Sequence, residues 1–542
     1  MDIVIVGGVA GGMSAATRLR RLMEDARITV LERSGHVSFA NCGLPYFVGG
    51  VIEERGDLLI QTPQRLHDRF ALDVRVSTEV RSIDRAAKVV SAVNLATGEE
   101  FAVPYDALIL SPGASPVRPP IPGIERALGL RVVEDSDRMK AAVGSATNAT
   151  VIGGGFIGVE VAENLVGLGM QVTVVEATDQ VMAPLDPEMV SPVHDRLREA
   201  GVDLVLGQAV TEIGSDSVTL ADGTQRDAAV VVAAIGVRPE SGLAADAGLD
   251  ISDRGAIVID DQLRTSDPSI YAVGDVAIKV DHVSGEPALV PLAGPANRQG
   301  RTVADVIAGR AARDLPVLGT AIVGVLGLQV AASGWNEKRL KAAGRPYRAI
   351  HTHPSSHATY YPGAEPMALK LLVDPADDAI LGVQGVGREG VDKRIDVIAT
   401  AMRAGLTAGE LADLELAYAP QFGAAKDPVN MLGFIARDIA DGLTEPIQWH
   451  ELEAAVDAGA TVIDVRSAEE HARGGIPGAV NVPLDELRQR LDDLPDGDLV
   501  VHCAVGLRGY IAARILVQHG RAVRNLDGGL ATWLAGTGVP VA

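Results

Sequence analysis

Cysteine is nearly absent from this chain: 542 residues carry two, Cys42 and Cys503. That excludes a disulfide framework and a cysteine-built metal site. The two stand hundreds of residues apart, which suits a reducing compartment and makes each a candidate reactive thiol. Aromatic residues make up only 3%, so core volume has to come from Ala, Val, Leu and Ile. Basic residues are in the minority, 48 Lys and Arg against 71 Asp and Glu, for a formal charge of -23. That average field repels a nucleic-acid backbone, while a local basic pocket for a small anion stays compatible with it. Long hydrophobic runs are missing too. Stretches such as Ala321 to Val330 are too short and too broken by glycine to cross a bilayer. The opening MDIVIVGG enters a strand at once, without the charged region and cleavage site of a signal peptide. The expectation is a cytoplasmic protein with neither nucleic-acid nor membrane partners. The rest is ordinary for a large globular chain, 47% hydrophobic and 22% charged. At roughly 150 residues each, the length predicts three or four domains.

No short tandem repeat is visible, but a longer echo is. Residues 2-34 read strand, glycine-rich turn, helix, strand and acidic residue, from DIVIVGGVAGG to RITVLERS. Residues 150-177, TVIGGGFIGVEVAENLVGLGMQVTVVEA, repeat that grammar. The apolar runs are short and β-branched, as buried parallel strands are. The second strands end at Glu32 and Glu176. In such a loop one glycine makes the turn, one admits the pyrophosphate, and one lets helix and strand pack. The phosphates then rest on the helix N-terminus. Gly153, Gly155 and Gly158 match in full; in the first loop Gly7, Gly8, Ala10, Gly11 and Gly12 surround Val9, which takes the middle place. The alternative is two glycine-rich turns in an unrelated α/β protein. Their pairing, each with its acidic residue, points to two bound dinucleotides.

Two further segments favour FAD in the first unit. Tyr105 to Ala114 is a strand running into a turn that contains Ser111 and Gly113, and Ile270 to Asp275 ends in Gly274-Asp275, placed for a ribityl hydroxyl. This arrangement resembles the two-dinucleotide flavoprotein disulfide reductases. The resemblance implies a discontinuous FAD domain (1-120 and 241-320), an inserted NAD domain (121-240) and an interface domain (321-442) that makes a homodimer. It adds Arg33, Asn41 and Val80 to the flavin contacts. Glu176 suits a free adenosine 2'-hydroxyl, so NADH is expected over NADPH.

Cys42 lies in SFANCGLPYFVG, where Pro45 fits the first turn of a helix. A thiol just ahead of a helix N-terminus is expected to have a lowered pKa. The alternatives are an inert buried cysteine and a redox thiol; two dinucleotide loops favour the second. Glutathione-type reductases use a CxxxxC pair, but residue 47 is Phe, so Cys42 needs an external sulfur or becomes a sulfenic acid. The segment resembles the single-cysteine branch of the family, which holds NADH peroxidases, NADH oxidases and coenzyme A disulfide reductases. Ala10 stands where the peroxidases and oxidases place a His. Ser355 to Ala364 and Tyr418 to Asn430 resemble the two tyrosine segments of coenzyme A disulfide reductases, although Gln421, Gly423 and Ala424 depart from their pattern. The resemblance implies Tyr360, with Tyr361 as runner-up, and Tyr418 acting across the dimer interface. Ser14, Arg18 and Arg21 share one face of the first helix by spacing. The resemblance puts the coenzyme A nucleotide beside that face, with Ser38, Asn41 and Lys426; Phe70 falls near the place of the family's usual lysine.

Residues 447-542 read as another protein. A strand ends in Asp464-Val-Arg466, GIPGA follows at Gly475, and Asp498 to Cys503 is a strand ending at cysteine. The loop to Arg508 leads into a helix expected near Gly509, and Leu526-Asp-Gly-Gly-Leu with Trp533 closes the unit. This resembles single-domain rhodaneses, with Gly475 in place of a usual His. Cys503 is then expected to face a nest of backbone N–H groups that stabilises a thiolate or persulfide, with Arg508 adding positive charge. The alternative is an inactive binding module.

The expected fold is α/β: two Rossmann-like dinucleotide-binding domains, an α/β interface domain and a C-terminal rhodanese-like α/β domain. The whole resembles a coenzyme A disulfide reductase–rhodanese fusion. That implies FAD-dependent reduction by NADH of persulfides, polysulfides or coenzyme A disulfide at Cys42, with sulfane sulfur carried by Cys503 and no metal. The competing readings are an NADH oxidase or peroxidase cycling Cys42 through sulfenic acid, and a sulfur-trafficking or redox-sensing module.

Overall fold

A computed structural model describes residues 1-539. The chain divides into two compact units, Met1–Val181 with Gly201–Gly319, and Met182–Ala200 with the chain from Thr320 onward. The segment 182-200 thus joins the second unit, although it lies inside the stretch expected to bind NAD.

In the first unit, the β-branched run Asp2–Val6 is the centre of a five-stranded sheet. The order is Ile270–Ala272, Ala107–Leu110, Asp2–Val6, Arg27–Leu31, Asp73–Arg75, and every pairing is parallel. Ile3 pairs with both Ile28 and Ala107. Ile3, Ile5, Ile28 and Val30 are buried on one face of this sheet beneath Leu19 and Val303. Full burial of each such side chain contributes about 1.5–3 kcal/mol. The helix Ala10–Leu22 packs against Ala293–Ile307. Gly300 permits that approach, because a Cβ there would sit 2.3 Å from the Gly11 carbonyl oxygen.

A second parallel sheet, ordered Asp203–Leu206, Gln171–Glu176, Asn148–Ile152, Val230–Ala233, repeats the pattern. Antiparallel three-stranded sheets at Thr78–Pro104 and Val210–Asp227 accompany the two parallel ones.

The second unit holds a five-stranded antiparallel sheet, ordered Ala321–Val325, Leu328–Gly334, Ile380–Gly387, Met367–Val373, Arg348–Thr352. Helices Val391–Ala404 and Pro428–Ala440 follow it. A parallel five-stranded sheet comes next, ordered Pro446–Ile447, Val523–Leu526, Leu499–His502, Thr461–Asp464, Val480–Asn481. The helix after Cys503 starts at Leu507, two residues before the expected Gly509. The final helix, Gly529–Thr537, packs on Pro187–Glu199. Among the described residues no helix is long and apolar enough to cross a membrane.

Candidate active sites

The two glycine loops close in the same way. Gly7 and Gly153 have φ of +97° and +104°, and a Cβ on either would meet a carbonyl oxygen, Ser111 O at 2.1 Å or Ala234 O at 2.5 Å. A Cβ on Gly12 or Gly158 would come within 1.9 Å of the first glycine's own carbonyl. Gly155 differs, since its Cβ would meet nothing within 4 Å, so it faces open space. Val9 and Gly155 cap the two helices without any side-chain cap, and neither first turn carries an acidic residue. The leading N–H groups are thereby left for phosphate. The acidic residues are held alike: Glu32 accepts from Gly8 N–H (2.7 Å) and Ser34 N–H (2.8 Å), and Glu176 from Gly154 N–H (2.8 Å) and Thr178 N–H (2.9 Å).

Around the first loop the residues fit FAD. Asp275 Oδ1 is buried without a hydrogen-bond partner, as a carboxylate awaiting a polyol hydroxyl is. Burial pushes its pKa up, against the opposing pull of Lys279 and Arg131. Gly274 (φ +81°) donates its N–H to Gln299 Oε1 at 2.9 Å, and Gly113 (φ +76°) continues the turn from Ser111. Arg33 is exposed and pairs with Glu240 at 3.3 Å; Val80 is half-buried on the strand Thr78–Asp84. Asn41 Nδ2 donates to the Arg131 carbonyl at 2.9 Å.

Cys42 sits in the turn Asn41–Gly43, followed by the helix Leu44–Val48 with Pro45 in its first turn. The thiol is exposed on one side, yet its pKa is raised. Burial on the other side is the main cause, followed by the negative charges of Glu160 and Asp275. The expected lowering is therefore corrected. A five-residue helix supplies a weak dipole, and desolvation with two carboxylates outweighs it. Glu160 accepts from the Tyr46 hydroxyl at 3.2 Å. Tyr46 is pushed up to about 12, by burial first and then by Glu160. Sequence reasoning missed both residues. They lie inside the Cys42 segment and the second glycine-loop segment, whose patterns record backbone shape and not side-chain contacts.

The proposed coenzyme A residues divide. Ser14 bonds Asn297 and Arg18 pairs with Asp305 at 2.8 Å, both on the neighbouring helix Ala293–Ile307, whereas Arg21 is exposed. Arg18 Nε is buried without a partner, so the guanidinium keeps one unmet donor. Ser38 adopts φ +51°, unusual for a residue with a side chain, and its N–H donates to the Gly8 carbonyl at 2.8 Å.

In the second unit, Tyr360 and Tyr418 come together with their hydroxyls 2.6 Å apart. They line a cavity of about 320 Å³ with Ser355, His357 and Lys426. Tyr360 is 74% exposed, and its bond to Tyr418 raises its pKa. Tyr361 turns instead to His357, edge-on at 5.7 Å.

Cys503 is fully buried and directly follows the strand Leu499–His502, one residue past the strand end expected for it. Gly506 (φ +100°) aims its N–H at the sulfur, 3.2 Å away. Arg508 lies beside Cys503, but a bidentate pair with Glu470 (2.6 and 2.7 Å) holds its guanidinium. Arg508 in turn holds the Glu470 carboxyl at about 2. Asp464 and Arg466 pair at 2.6 Å, and His471 Nδ1 lies 2.8 Å from Asp464. Glu470 and His471 carried no motif signal; only the fold brings them to this loop.

Comparison with known proteins gives three matching families: pyridine nucleotide-disulphide oxidoreductase over residues 1-298, the dimerisation domain of the same group over 320-428, and a rhodanese-like domain over 448-536. Coenzyme A disulfide reductase of Staphylococcus haemolyticus is 35% identical over 448 residues, 81% of this chain and 99% of that protein. Reduced CoADR-RHD of Bacillus anthracis superposes with a TM-score of 0.97 at 48% identity, covering 99% of this chain and 98% of that one. A NAD-dependent persulfide reductase from A. fulgidus superposes with a TM-score of 0.92 at 41% identity, covering 98% and 100%.

Proposed function

The chain belongs to the pyridine nucleotide–disulphide oxidoreductases, as a coenzyme A disulfide reductase–rhodanese fusion, and from that premise we infer that it is an NADH-dependent persulfide reductase working on small thiol carriers. Its chemical class is flavin-dependent reduction of disulfides or persulfides by a pyridine nucleotide. One observation carries the finer reading: Cys42 has no second cysteine in its segment, and the chain's other thiol belongs to the rhodanese-like domain. The sulfur that Cys42 engages must then come from the substrate.

FAD, when bound, supplies the two-electron relay from NADH. Cys42 thiolate attacks the outer sulfur of a persulfide such as coenzyme A persulfide; the S–S bond breaks and the carrier leaves as a thiolate that takes up a proton. Two electrons then cleave the Cys42 persulfide, releasing hydrosulfide and restoring the thiolate. Tyr360 and Tyr418, supplied across a homodimer, orient the carrier or give the proton. Ser14, Arg18, Arg21, Ser38, Asn41 and Lys426 bind its nucleotide, arginine matching phosphate by its planar fork. Cys503 carries sulfane sulfur to the bound thiol, with the Gly506 N–H and Arg508 steadying the anion. NADH is preferred, supported by Glu176 and by the absence of any basic residue in Ala177 to Gln180.

The test is anaerobic NADH oxidation with coenzyme A persulfide, coenzyme A disulfide and polysulfide in turn, with sulfide release measured. Turnover with stoichiometric sulfide on the persulfide is expected. Turnover only after oxygen is admitted would overturn this reading in favour of an oxidase.

A further inference from the structure

A buried charged network in the second unit is used by none of the chemistry above. Lys370 Nζ, fully buried, lies 2.9 Å from Asp186 and 2.7 Å from Glu337 and also bonds Glu188. The three carboxylates are spaced as metal ligands would be, but the ammonium takes their centre. From this cage the network runs to His351. Its Nε2 is 3.0 Å from Glu188 Oε1 and its Nδ1 is 2.7 Å from Asp527 Oδ2. Asp527 also accepts the His351 backbone N–H (3.0 Å) and Gln448 Nε2 (3.1 Å). Both ring nitrogens thus face carboxylate oxygens, which accept and do not donate, so the ring has to carry both hydrogens as imidazolium.

Asp527 belongs to the rhodanese-like domain and leads directly into Gly528 and Gly529, with φ of +67° and +64°. A Cβ on Gly529 would sit 2.6 Å from the Cys503 carbonyl oxygen, 2.8 Å from Gly506 N and 3.0 Å from Val505 N. Leu530 N–H donates to that same Cys503 carbonyl at 2.8 Å. One end of this turn is therefore gripped by His351, and the other walls the loop whose Gly506 N–H meets the Cys503 sulfur.

We propose that His351, a residue of the dimerisation domain, positions Cys503 for sulfur transfer by holding Asp527 and, through it, the Gly528–Gly529 turn against the sulfur-binding loop. The proposal rests on Cys503 being a sulfur carrier. Glu188 and Asp527 face His351 with negative charge, Lys370 opposes them from Met367–Val373, and His353 lies two residues along. Burial alone would lower the His351 pKa, but Asp527 and Glu188 prevail and push it up to about 9. His353 is held down at about 4, by burial first and then by the His351 charge. A base whose pKa is raised on folding contributes fully below its ordinary value and loses the contribution as pH rises through the raised one. The charged grip on Asp527 is accordingly complete at neutral pH and weakens as pH rises through about 9, where the ring keeps a single N–H for its two carboxylates. Of the His351 contacts, only the backbone N–H holds Asp527 regardless of pH.

The experiment uses the full-length, flavin-loaded chain carrying Cys42→Ser, which leaves Cys503 as its one thiol. Sulfur transfer from thiosulfate to cyanide is measured against pH; Cys503 takes the sulfane sulfur, sulfite leaves, and cyanide removes the sulfur as thiocyanate. Alkylation of Cys503 by iodoacetamide is followed over the same range. His351→Gln is expected to lower the sulfur-transfer kcat about tenfold, the scale of one charged hydrogen bond, and to shift the pH midpoint of alkylation. It should also abolish the break at about pH 9. Asp527→Asn keeps the size of the side chain and removes its charge, and should move that break to lower pH. Retained flavin and an unchanged circular dichroism spectrum check folding; if His351→Gln fails them, the alkaline break of the parent and its shift in Asp527→Asn decide. A kcat and an alkylation midpoint unchanged in His351→Gln, or a parent without the break, would overturn the proposal. Should the parent take no sulfur from thiosulfate, the sulfur-carrier reading is what fails, and the alkylation profiles still judge the positioning.

Discussion

The hydroxyls of Tyr360 and Tyr418, 58 residues apart in the chain, share one hydrogen bond of 2.6 Å at the mouth of a cavity that also presents Lys426. Groups bonded in this way act as a unit. Tyr360→Phe and Tyr418→Phe are each expected to lower kcat for a coenzyme A persulfide about a hundredfold, as loss of a proton donor does. The double variant should fall little further, because such losses are not additive. In Tyr418→Phe the alkaline limb of the kcat profile should move to lower pH, since the bond to Tyr418 is what raises Tyr360.

The two thiols should separate cleanly. Cys42→Ser is expected to abolish NADH-driven reduction of persulfides, and Cys503→Ser to spare small preformed persulfides while losing transfer from thiosulfate. Equal loss in both variants would contradict a division of roles. In the flavin-free chain, Glu160→Gln should lower the pH at which Cys42 is alkylated, because the Glu160 charge helps to raise that thiol.

Gly155 and Gly158 offer a contrast within one loop. A methyl at Gly155 has open space around it, and one at Gly158 would collide with the Gly153 carbonyl. Gly155→Ala should leave folding and flavin content intact while raising KM for NADH about tenfold or more, by filling room meant for the pyrophosphate. Gly158→Ala should lower Tm instead.

Acid stability should report on Asp464. Burial would raise this carboxyl, but Arg466, His502 and His471 together hold it at about 2. A depressed carboxylate stabilises above its ordinary value and loses that contribution as pH falls through the depressed one. Asp464→Asn is expected to cost on the order of 3 kcal/mol near neutrality, the scale for breaking a buried ion pair. Its penalty should shrink towards pH 2, as thermal unfolding across pH would show.

What the sequence disclosed is mostly backbone. Gly7, Gly12, Gly153 and Gly158 announce their turns because no other residue fits against those carbonyls, and the β-branched runs beside them fix the parallel sheets. Cys42 and Cys503 stood out because cysteine is so scarce. Side-chain pairs brought together from distant segments were not legible. Glu470 meets Arg508 from 38 residues away, Tyr46 meets Glu160 from 114, and His351 meets Asp527 from 176. None of these spacings is periodic, so no local pattern records them. The raised pKa of Cys42 is hidden from the sequence for the same reason. A helix N-terminus can be read locally, while the charges of Glu160 and Asp275 arrive through the fold.

The Lys370 cage also bears on whether this protein can be divided. Truncation at the linker would take Asp527 away and leave His351 with Glu188 alone, at a surface newly opened to water where Gly529–Thr537 had covered Pro187–Glu199. A reductase trimmed of its last hundred residues is therefore a damaged molecule and not a smaller version of the same one. Engineering a free-standing form would have to begin by giving His351 a new polar partner in place of Asp527 and by making the uncovered face of Pro187–Glu199 polar, while keeping Glu188 on Lys370.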